Sequence, residues 1–448
     1  MNQMALGFFM QMTGLHHGAW RRPEASPERT TDVHYYADLV RRAEAAKLDF
    51  VFMGDSLTAF EGGPDKQDRS REALSSGEPR RVTEPLTLLS AISVLTSRIG
   101  LVCTATTTYN EPYTVARQFA SFDHVSKGRS GWNVVTSSSM AEAFNYSRDA
   151  HPPHGDRYAR AREFMQVVFA LWDSFEDGAY VYDKERGIYS DPTKVHFINH
   201  KGDHFSVRGP LNIPRCPQGR PVIVQAGSSE DGIDFAGTVA DVVFTAQQTL
   251  DSAQKFYAEI KAAALGKGRD PQKVKILPGL MPIIGNSRAE AQAKLEALNS
   301  RIPGGYGLFM LSDMLGGIDL SAYDLDGPLP ENLPVPHGSI SRRDIIRDMA
   351  RRENLTIRQT FQRVSGASGH RIVCGTAADV ADDLENWFRS AAADGFSLMP
   401  ATLPEGLDNF LREVVPLLRR RGLFREEYGG TMLREHLGLT RPTNRFRP

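Results

Sequence analysis

The chain alternates between short apolar runs and longer segments in which apolar residues recur every three or four positions. Short apolar runs bounded by turn residues are typical of buried β-strands, and the longer period is typical of amphipathic α-helices. The pattern predicts strands at residues 4–10, 50–53, 99–106, 131–136, 222–226, 241–246, 274–284 and 395–399. It predicts the main helices at residues 32–47, 85–96, 112–125, 156–175, 252–264, 288–298, 376–393 and 407–420.

Buried strands that alternate with helices predict an α/β protein with a parallel sheet. About eight strand–helix alternations favour a closed (β/α)8 TIM barrel over an open doubly wound sheet. Two stretches interrupt the alternation: residues 176–219, which include a predicted hairpin over VHFINHKGDHFSV (195–207), and residues 301–371. Because loops often carry function, we expect a single domain over residues 1–448 with both insertions over the C-terminal mouth of the barrel.

Composition argues against nucleic-acid and membrane partners and indicates the cellular compartment. The chain has 53 Lys and Arg residues and 54 Asp and Glu residues, a net charge of -1, and no basic stripe, so we expect no nucleic-acid partner. The start, MNQMALGFFMQMTG, lacks the charged n-region of a signal peptide. No apolar run approaches the roughly 20 residues of a membrane helix, and the three cysteines lie far apart. We therefore expect a cytoplasmic protein without a membrane partner.

Polar residues occupy the C-terminal ends of several predicted strands, which share one face in a parallel barrel. Asp55 follows the second strand, Thr104 and Thr106 lie on the third, and Asn133 lies on the fourth. Mostly neutral donors and acceptors with one carboxylate suit a planar, amide-like ligand, and they do not resemble a hydrolytic dyad or a metal site. At each single position the alternative is a β-forming threonine or an ordinary helix cap.

The fifth predicted strand ends in small residues, in PVIVQAGSSEDG (221–232). Gly227 permits close backbone approach, and the N–H groups of a helix that begins near Ser229 favour an anion such as a phosphate. The helix dipole contributes only about 0.3–1 kcal/mol, so hydrogen bonds from hydroxyl and amide groups would provide most of the affinity. An ordinary turn with a serine cap is the alternative.

Several histidines are candidates for the site or for a metal. His154 and Tyr158 are four residues apart on one helical face, where both could reach a phosphate or a ring near the mouth; a first-turn histidine and a packed tyrosine are the alternative. The spacing of His196, His200 and His204 suits metal ligands only on a helix, and the pattern there predicts a hairpin. We therefore expect no metal site.

Four longer motifs occur in order: GRSGWNVVTS (128–137), HGDRYARAREFMQVVFALWDSF (154–175), DPTKVHFINHKGDHFSVRGPL (191–211) and PVIVQAGSSEDG. Together they resemble the nitrilotriacetate monooxygenase group of bacterial luciferase-like flavin monooxygenases. The resemblance implies a barrel that binds FMN in its reduced form, FMNH2, supplied by a separate NAD(P)H:FMN reductase. It also implies that one oxygen atom of O2 enters a small organic substrate by way of a flavin C4a-peroxide.

The resemblance further implies roles for particular residues. His17, in HGAW (17–20), is implied as an acid/base or as a group that stabilises the peroxide. The implied flavin contacts coincide with the polar positions found above: Asp55, Thr104, Thr106, Asn133, His154, Tyr158, Gly227, Ser228 and Ser229. Because members of the group are often dimers or tetramers, we expect a homo-oligomer.

Two other functions stay open at this point. One is a deazaflavin-dependent oxidoreductase of the same fold, which transfers hydride without oxygen. The other is a flavin-binding or flavin-storage protein that has no substrate. The substrate is not predicted by the sequence, although Arg69, Arg71, Arg80 and Arg81 could bind a carboxylate or could be surface charge.

Overall fold

The computed structural model describes residues 3–59, 75, 83–333, 340–367 and 369–447. The strands are β1 (Ala5–Phe9), β2 (Phe50–Met53), β3 (Gly100–Thr106), β4 (Ser130–Val135), β5 (Tyr180–Asp183), β6 (Ile188–Ser190), β7 (His200–Lys201), β8 (Ser206–Val207), β9 (Val222–Gln225), β10 (Val242–Thr245), β11 (Lys275–Ile284), β12 (Arg371–Gly375) and β13 (Gly395–Leu398).

The helices flank this sheet and alternate with its strands. They are α1 (Val33–Ala45), α2 (Pro85–Ser93), α3 (Pro112–Val125), α4 (Met140–Phe144), α5 (His154–Trp172), α6 (Glu230–Val239), α7 (Leu250–Gly266), α8 (Arg288–Asn299), α9 (Gly304–Met314), α10 (Ile340–Arg352), α11 (Ile357–Ala367), α12 (Ala377–Arg389), α13 (Glu405–Asn409), α14 (Val415–Arg420) and α15 (Leu433–His436). Among the residues given above, no helix combines the length and the apolar character that a membrane crossing requires.

Parallel hydrogen bonding closes eight of the strands into a barrel. The strand order is β10-β9-β4-β3-β2-β1-β13-β11, and β10 also pairs with β11 from Val242–Lys275 to Thr245–Pro278. The predicted (β/α)8 barrel is therefore confirmed. One further strand of this sheet, β12, lies outside the barrel. It pairs with the C-terminal half of β11, beyond the part that pairs with β10. The sequence pattern missed β12 because its five residues, RIVCG, lie where the insertion 301–371 meets the next helix.

The strands bury both of their faces. Outward side chains such as Trp132 pack on the helices, with the ring of Phe119 at 5.3 Å. Inward, the rings of Phe9 and Phe52 lie 5.0 Å apart, and both contact the ring of Phe244, at 6.0 and 5.5 Å. These three rings fill the barrel interior, as is usual for this fold. A ligand at the C-terminal mouth would therefore rest on an aromatic floor.

The C-terminal segment closes the opposite end of the barrel. A Cβ on Gly100 would collide with Leu433, so the first residue of β3 has to be this small. Arg425 pairs with Asp49, which is fully buried and also accepts the Leu6 N–H at 2.7 Å. Burial raises the pKa of Asp49 to about 6, and the neighbouring Arg425 opposes that rise. The amino-terminal ends of the strands are thus covered, which leaves the carboxyl ends for a site.

The two insertions lie in different places. Residues 301–371 reach the mouth, where the Tyr306 hydroxyl lies 3.1 Å from His17 Nδ1. Residues 176–219 instead pack on the outer sides of α5 and α3: the ring of Phe205 lies 5.6 Å from that of Phe164, and Pro214 O lies 3.0 Å from His124 Nε2. This differs from the expected position over the mouth. The contacts of this segment with α5 and α3 hold it against the outer layer of helices.

The remaining predictions concern a hairpin, the domain boundaries and four arginines. The predicted hairpin in the first insertion is present as β7 and β8, which pair antiparallel, and a second hairpin, β5–β6, was not predicted. The assignment of residues 1–448 to one domain stays a prediction. The arginines at 69, 71, 80 and 81 lie outside the described residues.

Replacing Arg425 with Met should lower the free energy of unfolding at pH 8 by about 3–5 kcal/mol, because Asp49 would stay buried without its cation. At pH 5 the loss should be smaller, since Asp49 can then take up a proton. Urea denaturation followed by tryptophan fluorescence measures both values. The control is Arg420→Met at an exposed position, which should change stability by at most about 0.5 kcal/mol. Equal stability of the two variants at pH 8 would contradict the assigned role of the ion pair.

Candidate active site

Asn133 and Thr104 are neighbours at the C-terminal ends of β4 and β3. Asn133 Nδ2 donates to Thr104 Oγ1 at 2.9 Å, and that hydroxyl donates to Met53 O at 3.0 Å. Trp132 and Val134 pack on the outer helices, so Asn133 faces the barrel interior. Its Oδ1 is buried and has no hydrogen-bond partner in the described part of the chain. A buried acceptor of this kind is free to bind the N–H group of a ligand.

Thr106 connects the loops that follow the same two strands. Its Oγ1 accepts the backbone N–H of Thr108 at 3.1 Å and the Ser137 hydroxyl at 2.9 Å. Ser137 has a φ of 54°, an unusual value for a residue other than glycine. Arg157 donates to Ser137 O and, at 3.3 Å, to Thr136 O. Burial lowers the pKa of the Arg157 guanidinium. These bonds fix the shape of the mouth next to Thr104 and Asn133.

Gly227 lies where the backbone after β9 meets Tyr158. A Cβ at this position would collide with Gln225 Nε2 and would lie 2.8 Å from the Tyr158 hydroxyl oxygen, so a larger residue would have to displace both side chains. Ser229 caps α6 by accepting the Gly232 N–H at 3.2 Å. Backbone N–H groups of a helix start, a serine hydroxyl and a tyrosine hydroxyl therefore meet in one place, which is the donor set that binds phosphate.

His154 borders the same place from the first turn of α5. Its ring lies 4.9 Å from that of Tyr158, and its Nδ1 lies 3.2 Å from Asp231 Oδ2. Asp231 also accepts Arg162 Nη2 at 3.2 Å. The Asp231 carboxylate thus orients His154. Arg162 offsets the negative charge of Asp231 beside the candidate anion site.

His17 lies on another side of the mouth, beyond the end of β1. The adjacent His16 is fully buried, accepts the Gly18 N–H at Nδ1 (3.0 Å) and therefore donates from Nε2 to Asn299 Oδ1 (3.0 Å). Burial lowers the pKa of His16 to about 4, so it stays neutral. His16 fixes the loop, and His17 is held by Tyr306 from the second insertion.

The structure thus brings the predicted residues to one face in three groups. Asp55, Thr104, Thr106 and Asn133 belong to the neighbouring strand ends of β2, β3 and β4. The second group lies where the start of α5 meets the residues after β9, and β9 pairs with β4 so that Asn133 lies opposite Val224. Its members are His154, Tyr158, Gly227, Ser228 and Ser229. His17 lies apart from both groups and contacts the insertion.

Sequence reasoning missed several residues of this face. Arg157 directly precedes Tyr158 inside a motif that was noticed, and only its contacts with the β4 loop reveal its position. Gln225 is one of the polar residues at the end of the fifth predicted strand, and only the structure shows that its Oε1 is buried without a partner among the described residues. Tyr109 and His151 are 42 residues apart and meet through a 2.6 Å hydrogen bond. No local pattern could have joined such a pair.

The histidines of the first insertion, His196, His200 and His204, do not share one set of partners. His196 Nε2 lies 2.8 Å from Glu176, whereas His200 Nε2 lies 2.9 Å from Glu163. Across the part of the chain that the structure describes, no group of three or more His, Cys, Asp or Glu side chains could hold a metal ion.

Comparison with known proteins assigns the family. Residues 8–395 match the family described as luciferase-like monooxygenase. The chain is 58% identical over 442 residues to nitrilotriacetate monooxygenase component A of Aminobacter aminovorans, which covers 99% of this chain and 98% of the relative. The chain belongs to the luciferase-like monooxygenase family. This luciferase-like monooxygenase is also 48% identical, over 447 residues, to the N-acetyl-S-(2-succino)cysteine monooxygenase of Bacillus subtilis (strain 168), with 99% and 98% coverage.

A solved structure shares the whole architecture. Riboflavin lyase (RcaE), determined with modified FMN and the substrate riboflavin, superimposes with a TM-score of 0.85 at 30% identity, over 97% of this luciferase-like monooxygenase and 96% of that chain. Members of this family are enzymes, and the protein is accordingly a flavin-dependent monooxygenase.

The residues at the mouth fit a flavin. The pyrimidine edge of the ring system presents an N–H donor beside carbonyl acceptors, and Asn133 Oδ1 is a buried acceptor without a protein partner in the described residues. The cradle at Gly227 is too tight for a Cβ and has the donors that an anionic tail requires. The aromatic floor below suits a flat ring.

Replacing Gly227 with Ala should weaken flavin binding and destabilise the protein by about 1–3 kcal/mol, because the new methyl group would overpack the cradle. Gly266→Ala is the matched control, since a Cβ there meets nothing within 4 Å, and it should leave flavin affinity unchanged. Flavin titration and thermal unfolding measure the two effects. Wild-type affinity in Gly227→Ala would remove this cradle from the flavin site.

Proposed function

We propose that this protein is the oxygenase component of a two-component system: it binds FMNH2 and transfers one oxygen atom of O2 to a small organic substrate. The observation that carries the proposal is the buried, unpartnered Oδ1 of Asn133 beside Thr104, in a strand that pairs with the strand leading to Gly227. One relative is named as component A, which indicates a separate second component. The related RcaE structure contains modified FMN.

One end of the site would hold the flavin ring. Asn133 would accept the ring N–H at Oδ1, and Thr104 fixes the amide by occupying its Nδ2. Thr106 would complete this edge from the same strand as Thr104, and Asp55 would orient the neighbouring hydrogen bonds. The bound reduced flavin supplies the electrons that reduce one oxygen atom to water while the other enters the substrate. The protein residues bind, orient and shield the reacting groups.

The other end of the site would hold the FMN phosphate. The backbone of Gly227, the residues Ser228 and Ser229, and the Tyr158 hydroxyl supply the donors, with His154 at the border. These are neutral donors beside an oriented imidazole, so much of the affinity comes from hydrogen bonds. FMN, which has a phosphate, therefore suits the cradle better than riboflavin, which has none.

His17 is the proposed proton-handling group. The Tyr306 hydroxyl lies 3.1 Å from Nδ1 and orients the ring, and the imidazole would hold a proton for the reaction. Because Tyr306 belongs to the second insertion, the same segment that orients His17 also covers part of the mouth. Water exclusion there would limit the unproductive release of hydrogen peroxide.

The proposed partners follow from this chemistry. An NAD(P)H:FMN reductase would supply FMNH2, and the protein would act as a homo-oligomer, either a dimer or a tetramer. The compounds named for the two relatives, nitrilotriacetate and N-acetyl-S-(2-succino)cysteine, carry several carboxylates. An organic acid is therefore the first substrate to test.

The double variant Ser229→Ala, Tyr158→Phe should weaken FMNH2 binding about tenfold or more, because two hydrogen bonds to a charged group are lost. Ser287→Ala is the control: Ser287 also caps a helix, by accepting the Glu290 N–H at 3.1 Å, so it separates the loss of a cap from the loss of a phosphate contact. Anaerobic titration measures the affinities. Unchanged affinity would exclude the phosphate site, and preferential binding of a deazaflavin or of oxidised FMN would favour the alternative functions.

Replacing His17 with Phe should lower product formation about 10²- to 10⁴-fold, the usual range for loss of an acid/base group. Oxygen consumption should continue and yield hydrogen peroxide, since FMNH2 binding does not involve His17. The assay combines the protein with a flavin reductase, O2 and organic-acid candidates, and quantifies product and peroxide. His204→Phe, at an exposed position, should behave like the wild type. Full coupling in His17→Phe would contradict the role assigned to this residue.

A further inference from the structure

A second group of polar residues lies on the loops that follow β3 and β4 and is separate from the residues assigned to the flavin. The Tyr109 hydroxyl lies 2.6 Å from His151 Nδ1. The ring of Tyr109 stacks on that of Tyr146 at 4.9 Å, and the guanidinium carbon of Arg148 lies 5.5 Å from the Tyr109 ring centroid. We call Tyr109, Tyr146, Arg148 and His151 the rim cluster.

The hydrogen bond in the rim cluster determines where the protons lie. Burial raises the pKa of Tyr109, so the phenol keeps its proton. Burial, helped by the charges of Arg157 and Arg148, lowers the pKa of His151 to about 4, so the imidazole is neutral near pH 7. Tyr109 therefore donates to Nδ1, and the remaining hydrogen of His151 must be on Nε2. That Nε2 is buried and has no acceptor among the described residues.

The charges around His151 favour an anion. In the described part of the chain no carboxylate pairs with Arg148, whose contact is with the face of Tyr109. The Nε of Arg157 is also buried without a partner there. Two carboxylates act on the same residues: the charge of Glu142 reaches Tyr109, Tyr146 and Arg157, and that of Asp55 reaches Tyr146. Glu142 Oε1 accepts the Leu57 N–H at 3.3 Å. The rim cluster and the adjacent Arg157 thus present an imidazole N–H and a guanidinium N–H that are buried and unsatisfied among the described residues, with the exposed guanidinium of Arg148 beside them. Unsatisfied buried donors next to positive charge call for an anionic ligand.

The rim cluster adjoins the proposed flavin edge. Thr106 accepts the Ser137 hydroxyl at 2.9 Å, and Arg157 donates to the carbonyl of Ser137. Ser137 therefore links Thr106, at the proposed flavin edge, to Arg157, whose charge lowers the pKa of His151. A molecule held at the rim cluster by one end could place its other end at the flavin edge.

We propose that Arg148, His151 and Arg157 form a subsite that binds a carboxylate of the substrate. The inference rests on the proposed function, which it deepens by assigning the residues that select an organic acid over an uncharged substrate. Arg148 provides charge at the rim, and the Nε2–H of His151 donates a directed hydrogen bond. Tyr109 is a positioning residue, because it fixes the tautomer of His151 without touching the substrate.

The test measures the binding of nitrilotriacetate, N-acetyl-S-(2-succino)cysteine and citrate by calorimetry, with and without anaerobic FMNH2. The trimethyl ester of nitrilotriacetate serves as the uncharged probe. At least one of the three acids should bind the wild type. Arg148→Gln and His151→Phe should each weaken that binding about tenfold or more, while FMNH2 affinity stays unchanged. Arg117→Gln and His204→Phe are the controls at exposed positions, and they should bind the acids like the wild type.

Three results would overturn the subsite. The first is wild-type acid affinity in both Arg148→Gln and His151→Phe. The second is that the wild type binds none of the acids, and the third is that it binds the ester as well as nitrilotriacetate. If the wild type still binds FMNH2 and consumes oxygen in these cases, the proposed function survives without the subsite. If FMNH2 fails to bind but the variants still lose acid binding, the proposed function fails and the carboxylate site stands.

Discussion

The pairing of β10 with β11 closes the barrel, and the arrangement of the whole C-terminal face depends on this ladder. Because every barrel strand is parallel, closure brings all carboxyl ends together. Consecutive strand pairs place Asp55, Asn133 and Gly227 along one row of strand ends, and closure of the barrel curves that row around the mouth. An open sheet with the same strands would spread these residues along an edge and could not surround a flavin.

At the amino end of the barrel a buried charge is paired, whereas at the carboxyl end two buried polar atoms lack partners among the described residues. At the amino end, the Asp49 carboxylate is paired with Arg425 and a backbone N–H, and Leu433 packs against the first residue of β3. At the carboxyl end, Asn133 Oδ1 and His151 Nε2 are buried without protein partners among the described residues. Buried polar atoms without partners are costly, so these two atoms at the mouth indicate places for ligands. The ion pair at the amino end contributes to stability, and the carboxyl end is the candidate binding site.

Much of this architecture follows from the sequence, for physical reasons that particular elements show. Buried parallel strands such as β3 and β11 give long apolar runs, so the barrel could be predicted, whereas the half-buried RIVCG of β12 gives no such run. The polar strand ends could be predicted because parallel closure fixes their face. The pairing of Tyr109 with His151 could not, since it depends on two loops 42 residues apart. The outer position of residues 176–219 could not be predicted either, because it depends on contacts such as that of Phe205 with Phe164, 41 residues away.

A structure of the protein soaked anaerobically with reduced FMN tests the central claim most directly. The account predicts the pyrimidine edge of the ring within hydrogen-bonding distance of Asn133 Oδ1. It also predicts the phosphate against the backbone of Gly227 and the hydroxyl groups of Ser229 and Tyr158. A flavin bound elsewhere, or bound at the mouth with its phosphate away from Gly227, would contradict it.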